Sequence, residues 1–179
     1  MTVLDVRRRD LASRMRAAAG VSKSPPRQPV IAESHSDFLL GGLWEETLRG
    51  PALYLERSYS LAESHGKYRL SEVLQQGWFD LSQLGCLTDP ANLLFLDVET
   101  TGLNGGTGTL AFLVGAARFI DDRLVLRQYF LPRPHHEPAM LAGLTSFAAG
   151  AQQVVTYNGG SFDMPLLQGR YTMAREGGA

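Results

Sequence analysis

The sequence has one cysteine, Cys86, among 179 residues. That rules out an internal disulfide and any zinc site built from two to four thiolates. No stretch comes near the roughly 20 consecutive apolar residues needed to span a bilayer as a helix. With 44% hydrophobic and 20% charged residues, the chain has the make-up of an ordinary globular protein. Gly-Lys-Ser and Gly-Lys-Thr are absent, which removes the phosphate-binding P-loop. The N-terminal stretch carries arginines but no apolar core or small-residue cleavage site, so a secretory signal is not expected and the cytosol is.

Net charge is also small, −1, but it is unevenly distributed. Residues 1–29 hold seven basic side chains, Arg7, Arg8, Arg9, Arg14, Arg16, Lys23 and Arg27, against Asp5 and Asp10. This segment is therefore +5 and the remaining 150 residues are −6. A basic arm on an acidic body suits contact with a polyanion, while a merely solvated tail is the alternative. Val3–Ala19 favours a marginal helix ending at Gly20, and Ser22–Pro29, with three prolines in eight residues, reads as a linker.

The expected organisation is an arm and linker over 1–29, a covering segment over 30–90 and a main domain over 91–179. The covering segment should contain a helical turn near Trp44, a strand around Leu53–Tyr59, a turn at His65-Gly66 and a helix over Leu70–Gln76. In the main domain, Leu93–Val98 is a short apolar run suited to a central strand. Thr109–Ile120 and Leu124–Phe130 predict two further strands joined by a turn at Asp121-Asp122. Met140, Leu141, Leu144, Phe147 and Ala148 recur at helical spacing. Gln153–Tyr157 predicts a fourth strand, "NGGS" a turn, and Pro165 the first turn of a last helix. The order is β-β-β-α-β-α, an α/β arrangement with no internal repeat.

"FLDVETTGL", Phe95–Leu103, places acids at the end of the first apolar run. Residues i and i+2 of a strand share a face, so Asp97 and Glu99 stand side by side. Two ionised carboxylates this close repel unless a cation is shared, and hard oxygen donors favour magnesium or manganese. About sixty residues on, "VTYNGGSFDMPLL" delivers Asn158 and Asp163. If the fourth strand lies parallel to the first, Asp163 faces the pair across one cavity.

"FLDVETTGL" resembles the first motif of the DEDD exonuclease superfamily, and "YNGGSFDMPLL" resembles the second. The segments between them, "GGTGTLAFLVGAARF" and "LRQYFLPRPHHEPAML", are similar to the YprB-type ribonuclease-H-like family. In that family a Gly-rich turn, a F-L-x-G strand and a Q-Y-F-L segment separate the two motifs. The likeness spans about Asn92–Tyr171, and more weakly Gly41–Gln75. It implies a ribonuclease-H-like mixed sheet of three antiparallel strands and a parallel fourth, flanked by helices. It also implies a two-metal phosphodiesterase using Mg2+ or Mn2+, with 3′–5′ exonuclease-like action on DNA or RNA. In that scheme Asp97 bridges both metals, Glu99 holds the one carrying the nucleophilic water, and Asp163 binds the other. Thr100, Thr101, Gly102 and Leu103 would meet the terminal nucleotide, Leu103 as a wedge against a base. Asn158 would orient the loop or touch a phosphate, or else shape the turn as an Asx motif. Phe162 is read as core.

The family's third motif, an acid four residues after Tyr or His on a helix following a fifth strand, has no counterpart after Gln168. The expectation is a fold lacking its usual last strand and helix, with little or no catalysis in this chain alone, and with a C-terminal region or another subunit to complete it. A ribonuclease-H-like module that binds nucleic acid or a partner without cutting it is the rival. "GTGTLA" fits a dinucleotide fingerprint, but it leads into a strand where that motif must open a helix. His135-His136 is read as a solvated loop whose two rings point apart.

Overall fold

The computed structural model describes residues 41–75, 80–81, 86–87, 89–102 and 108–176. The basic arm, the linker, Gln76-Gly77 and Leu103 lie outside the described residues.

The chain begins with β1 (Leu43–Thr47) and β2 (Gly50–Ser60), joined by a tight turn at Gly50 with φ +102°. A hairpin of β3 (Ser64–His65) and β4 (Tyr68–Arg69) follows, turning through Gly66 at φ +61°, and leads into the short helix α1 (Leu70–Gln75). The two-residue strands β5 (Asp80–Leu81) and β6 (Cys86–Leu87) pair with each other. A 3-10 turn over Pro90–Asn92, capped by the Asp89 side chain on the Ala91 amide, feeds β7 (Leu93–Thr100). Then come β8 (Ala111–Ile120), β9 (Arg123–Phe130), helix α2 (Glu137–Phe147), β10 (Gln153–Val155) and helix α3 (Met164–Glu176).

Six strands form one sheet in the order β1-β2-β9-β8-β7-β10. All neighbours are antiparallel except β10, which runs parallel to β7 with Val154 opposite Leu94. The three antiparallel strands, the parallel fourth and the flanking helices are those of a ribonuclease-H-like fold. One expectation fails: Trp44 lies in a strand, not in a helical turn. Leu43–Ser60 pairs through β2 with β9, so this segment lengthens the sheet.

The core lies between one sheet face and the two long helices. Leu94, Leu96 and Val98 of β7, Val114 and Ala116 of β8, Tyr129 of β9 and Tyr54 of β2 pack on Met140, Leu141, Leu144, Phe147, Leu166 and Leu167. Tyr129 is fully buried and donates from its hydroxyl to the Gly143 carbonyl, and burial pushes its phenol above the ordinary value. A Cβ at Gly143 would lie 2.5 Å from Glu45 Oε1 and 2.8 Å from the Tyr129 ring, so only glycine lets α2 approach the sheet here. Arg127 ties the outer strands together. It donates to Glu45 and Glu56 while its guanidinium sits 4.4 Å from the Tyr54 ring centre and 4.9 Å from that of Phe147.

Candidate active site

The strand alternation that buries Leu94, Leu96 and Val98 turns Leu93, Phe95, Asp97 and Glu99 to the opposite face. Both carboxylates are exposed there, at the carboxyl end of a central strand. The sheet thus provides the side-by-side acid pair that the D-x-E spacing predicts. The ladder to β8 slips between Glu99 and Thr100, a bulge that redirects the chain directly after the pair. The following turn is tied down: Thr100 Oγ1 donates to the Gly102 carbonyl at 2.8 Å. Thr101 accepts the Leu110 amide on its hydroxyl at 3.0 Å and donates its own amide to the Leu110 carbonyl. Thr101 is exposed and Gly102 half-buried, which leaves this turn open beside the acids.

Asp163 reaches the same end of the sheet by another route. β10 ends at Val155, one strand over from β7, and the chain then makes a π-helical turn over Gly159–Asp163 before α3 begins. Single π turns are frequent at functional sites. The Asp163 residue is only 3% exposed, and its Oδ2 accepts the Thr156 hydroxyl at 2.6 Å. Thr156 directly follows β10, so this hydrogen bond ties the carboxylate to the end of the strand that neighbours β7. Asn158 is exposed. Its side chain makes no capping hydrogen bond; its backbone carbonyl shapes the turn by accepting from Ser161 and Phe162. The amide group of Asn158 is therefore left at the surface next to the site. Phe162 is half-buried and stands outside the main core cluster.

In kind, the donor set suits a hard divalent cation. Magnesium is commonly held by one or two carboxylates and completes its shell with water and substrate phosphates, which the exposed Asp97–Glu99 pair can satisfy. A second, bridging position is not preformed: among the described residues, no group of three His, Cys, Asp or Glu side chains is close enough to hold a metal ion. The two histidines also differ from expectation. A 3-10 turn over Pro134–His136 brings the rings of His135 and His136 to 4.1 Å between centres, and His136 also lies 5.8 Å from Trp44. They pack on each other and on β1.

Thr156 is a functional candidate that motif reading overlooked. Its signal is faint: a hydroxyl residue at the end of a strand, seven positions before the acid it holds.

The RNase H superfamily pattern matches residues 94–177, a span containing all three acids, β7 but for Leu93, β8 through β10 and both long helices. This match and the following one support a YprB-type, ribonuclease-H-like family for the chain. It is similar to the uncharacterized protein YprB of Bacillus subtilis (strain 168), with 39% identity over 132 residues. That alignment takes in 69% of this chain and 31% of the relative. Membership in the ribonuclease H superfamily brings a nuclease-like fold, in which the pair on β7 and the acid after β10 occupy adjacent strand ends. No helix among the described residues is long and apolar enough to cross a membrane.

Proposed function

We propose that this ribonuclease-H-like domain acts on phosphodiester bonds of nucleic acid, DNA or RNA, in a reaction that depends on Mg2+ or Mn2+ and is of the 3′–5′ exonuclease kind. One observation carries the reading: β7 and β10 are parallel neighbours, so the Asp97–Glu99 pair and Asp163 lie at the carboxyl ends of adjacent strands. Open α/β sheets bind ligands at such ends.

In this reading Asp97 and Glu99 are the residues that would hold the cation. When bound, it would activate a water and neutralise the departing oxygen of an in-line displacement. Asp163 contributes Oδ1, its other oxygen being held by Thr156. The turn at Thr100, Thr101, Gly102 and Leu103 meets the terminal nucleotide, and Asn158 presents its amide to a phosphate. A cytoplasmic setting, where nucleic acid and magnesium are both at hand, fits this activity. Since the chain aligns to 31% of the YprB relative, the activity of a longer protein, including any segment or subunit supplying a fourth acid, belongs to this proposal too.

A second reading, a binding module that cuts nothing, draws on the lack of a preformed three-group cation site among the described residues. A nuclease assay separates the two. End-labelled oligonucleotides are incubated with the chain, with a version extended through a third motif, and with Asp97→Ala in each, in magnesium, manganese or chelator. Shortening that needs the metal and vanishes with Asp97→Ala supports the enzyme. Metal-independent binding unchanged in Asp97→Ala, with no shortening, leaves the module.

A further inference from the structure

Two segments characteristic of this chain, "FLVG" at Phe112–Gly115 and "QYFL" at Gln128–Leu131, have no part in the chemistry above. The sheet register gives them one. Asp97 stands opposite Gly115, and Gly115 stands opposite Gln128, so the three form a single cross-strand row through β7, β8 and β9. Directly opposite residues in antiparallel pairs point to the same face, so Gly115 and Gln128 belong to the face that carries Asp97 and Glu99.

The row differs from those beside it. The neighbouring rows run Glu99, Leu113, Phe130 and Phe95, Ala117, Leu126, apolar across β8 and β9. Gln128 is the one polar side chain that β8 and β9 place on this face, whose other members are Leu113, Ala117, Phe119, Leu124, Leu126 and Phe130. It is half-buried, and its side-chain amide takes no hydrogen bond from the described residues. It is not among the buried polar atoms left without a partner, so water reaches it, and an amide that water satisfies on an apolar face can exchange that water for a ligand group.

Gly115 leaves the space between. With strands about 4.8 Å apart, Asp97 and Gln128 flank a bare gap about 10 Å across at the backbone. Sterics among the described residues do not demand glycine at this position: of their atoms, an added Cβ would have only the Asp97 carbonyl oxygen near it, at 3.9 Å, an ordinary contact. Nor is its φ in the left-handed region. The missing side chain is therefore not explained by the fold.

We propose that Gly115 and Gln128 form a nucleotide subsite beside Asp97. The bare backbone at Gly115 would be its floor, and the Gln128 amide would bind the sugar hydroxyl or phosphate oxygen of the nucleotide being handled. The inference rests on the nuclease reading and gives it a substrate-binding wall that none of the three acids supplies. An amide both donates and accepts, so it can meet either group.

The test uses the full chain with magnesium and two fluorescein-labelled single strands of the same sequence, one DNA and one RNA, read by anisotropy. Gln128→Leu should weaken binding roughly three- to tenfold, the worth of one neutral hydrogen bond, with an unchanged melting temperature. Gly115→Ala should fold normally and bind less well, and Gly115→Val should bind less well still. Ala117→Val, which adds similar bulk one row away, should bind as the parent does. If Gln128 reads the sugar hydroxyl, RNA binding falls more than DNA binding; equal losses assign it to phosphate. Parent-like binding by Gln128→Leu and Gly115→Val, with Asp97→Ala still abolishing metal-dependent cutting, overturns the subsite and leaves the nuclease standing. Failure of the parent chain to bind either strand overturns both.

Discussion

Thr156 and Asp163 are joined across the π-helical turn by a 2.6 Å hydrogen bond, hydroxyl to carboxylate, and the turn between them closes tightly enough to exclude a side chain at Gly159. A Cβ there would sit 2.6 Å from Thr156 Cγ2 and 2.7 Å from its hydroxyl oxygen. The acid of the second motif is thus positioned by a threonine at a strand end and by a glycine that lets the turn fold back on it.

The first prediction follows. Thr156→Val keeps the shape and removes the donor, leaving a buried carboxylate oxygen without its partner. The expected loss is about 1.5–3 kcal/mol in chemical denaturation. Thr156→Ser should recover most of it. Gly159→Ala should be destabilising by about 1–3 kcal/mol through crowding. An effect below 0.5 kcal/mol for both Thr156→Val and Gly159→Ala would mean that the turn does not depend on this contact.

The second concerns the cation and needs no activity. Asp97 and Glu99 repel each other when no metal is bound, so in chelator Asp97→Asn should melt slightly higher than the parent. Magnesium at about 100 times its dissociation constant should stabilise the parent by about 2.7 kcal/mol. For a chain of this size that is a rise of roughly 5–10 °C. Asp97→Asn should lose most of that rise. Equal magnesium shifts in parent and variant would place any cation elsewhere.

Much of this site could be read from the sequence because it depends on local periodicity. The alternation around Leu94, Leu96 and Val98 fixes where Asp97 and Glu99 point, and an apolar run bounded by turns fixes the strand itself. What failed depended on tertiary partners. "LWEET" contains two glutamates, good helix formers, yet Leu43–Thr47 pairs with β2, and Glu45 is held by Arg127 from a strand more than eighty residues away. The Thr156–Asp163 bond was hidden because a π turn has no periodic signature. The contact between the tilted rings of His135 and His136 was hidden because it depends on a 3-10 turn over Pro134–His136 that the sequence pattern did not reveal. The row Asp97, Gly115, Gln128 requires two strand registers that no sequence pattern specifies.

The third prediction concerns the basic arm. Residues 1–29 carry five excess positive charges, and each phosphate contact on a single strand contributes about −0.7 to the slope of log affinity against log salt. Deleting the arm should flatten that slope by up to about 3.5 units for single-stranded oligonucleotides, while metal-dependent cutting at low salt persists. An unchanged slope would dismiss the arm as a nucleic-acid contact.

The fourth concerns how α3, the helix that directly follows Asp163, is held in place. Arg170 grips Glu137 at the start of α2 with two hydrogen bonds, Nε to Oε1 and Nη2 to Oε2, and the two side chains are 9% and 7% exposed. A bidentate pair so deeply buried fixes the register of one helix against the other, but its net contribution is small because both charges lost their water. Removing one partner strands the other charge: Glu137→Gln or Arg170→Met should each cost about 3–5 kcal/mol. The double variant Glu137→Leu with Arg170→Leu, which leaves no charge behind, should recover most of that stability. If the helix register is what the pair supplies, the double variant will be stable yet impaired in cutting, because Asp163 immediately precedes the helix that Arg170 anchors. A double variant as unstable as either single one would instead assign the pair's contribution to attraction between the charges.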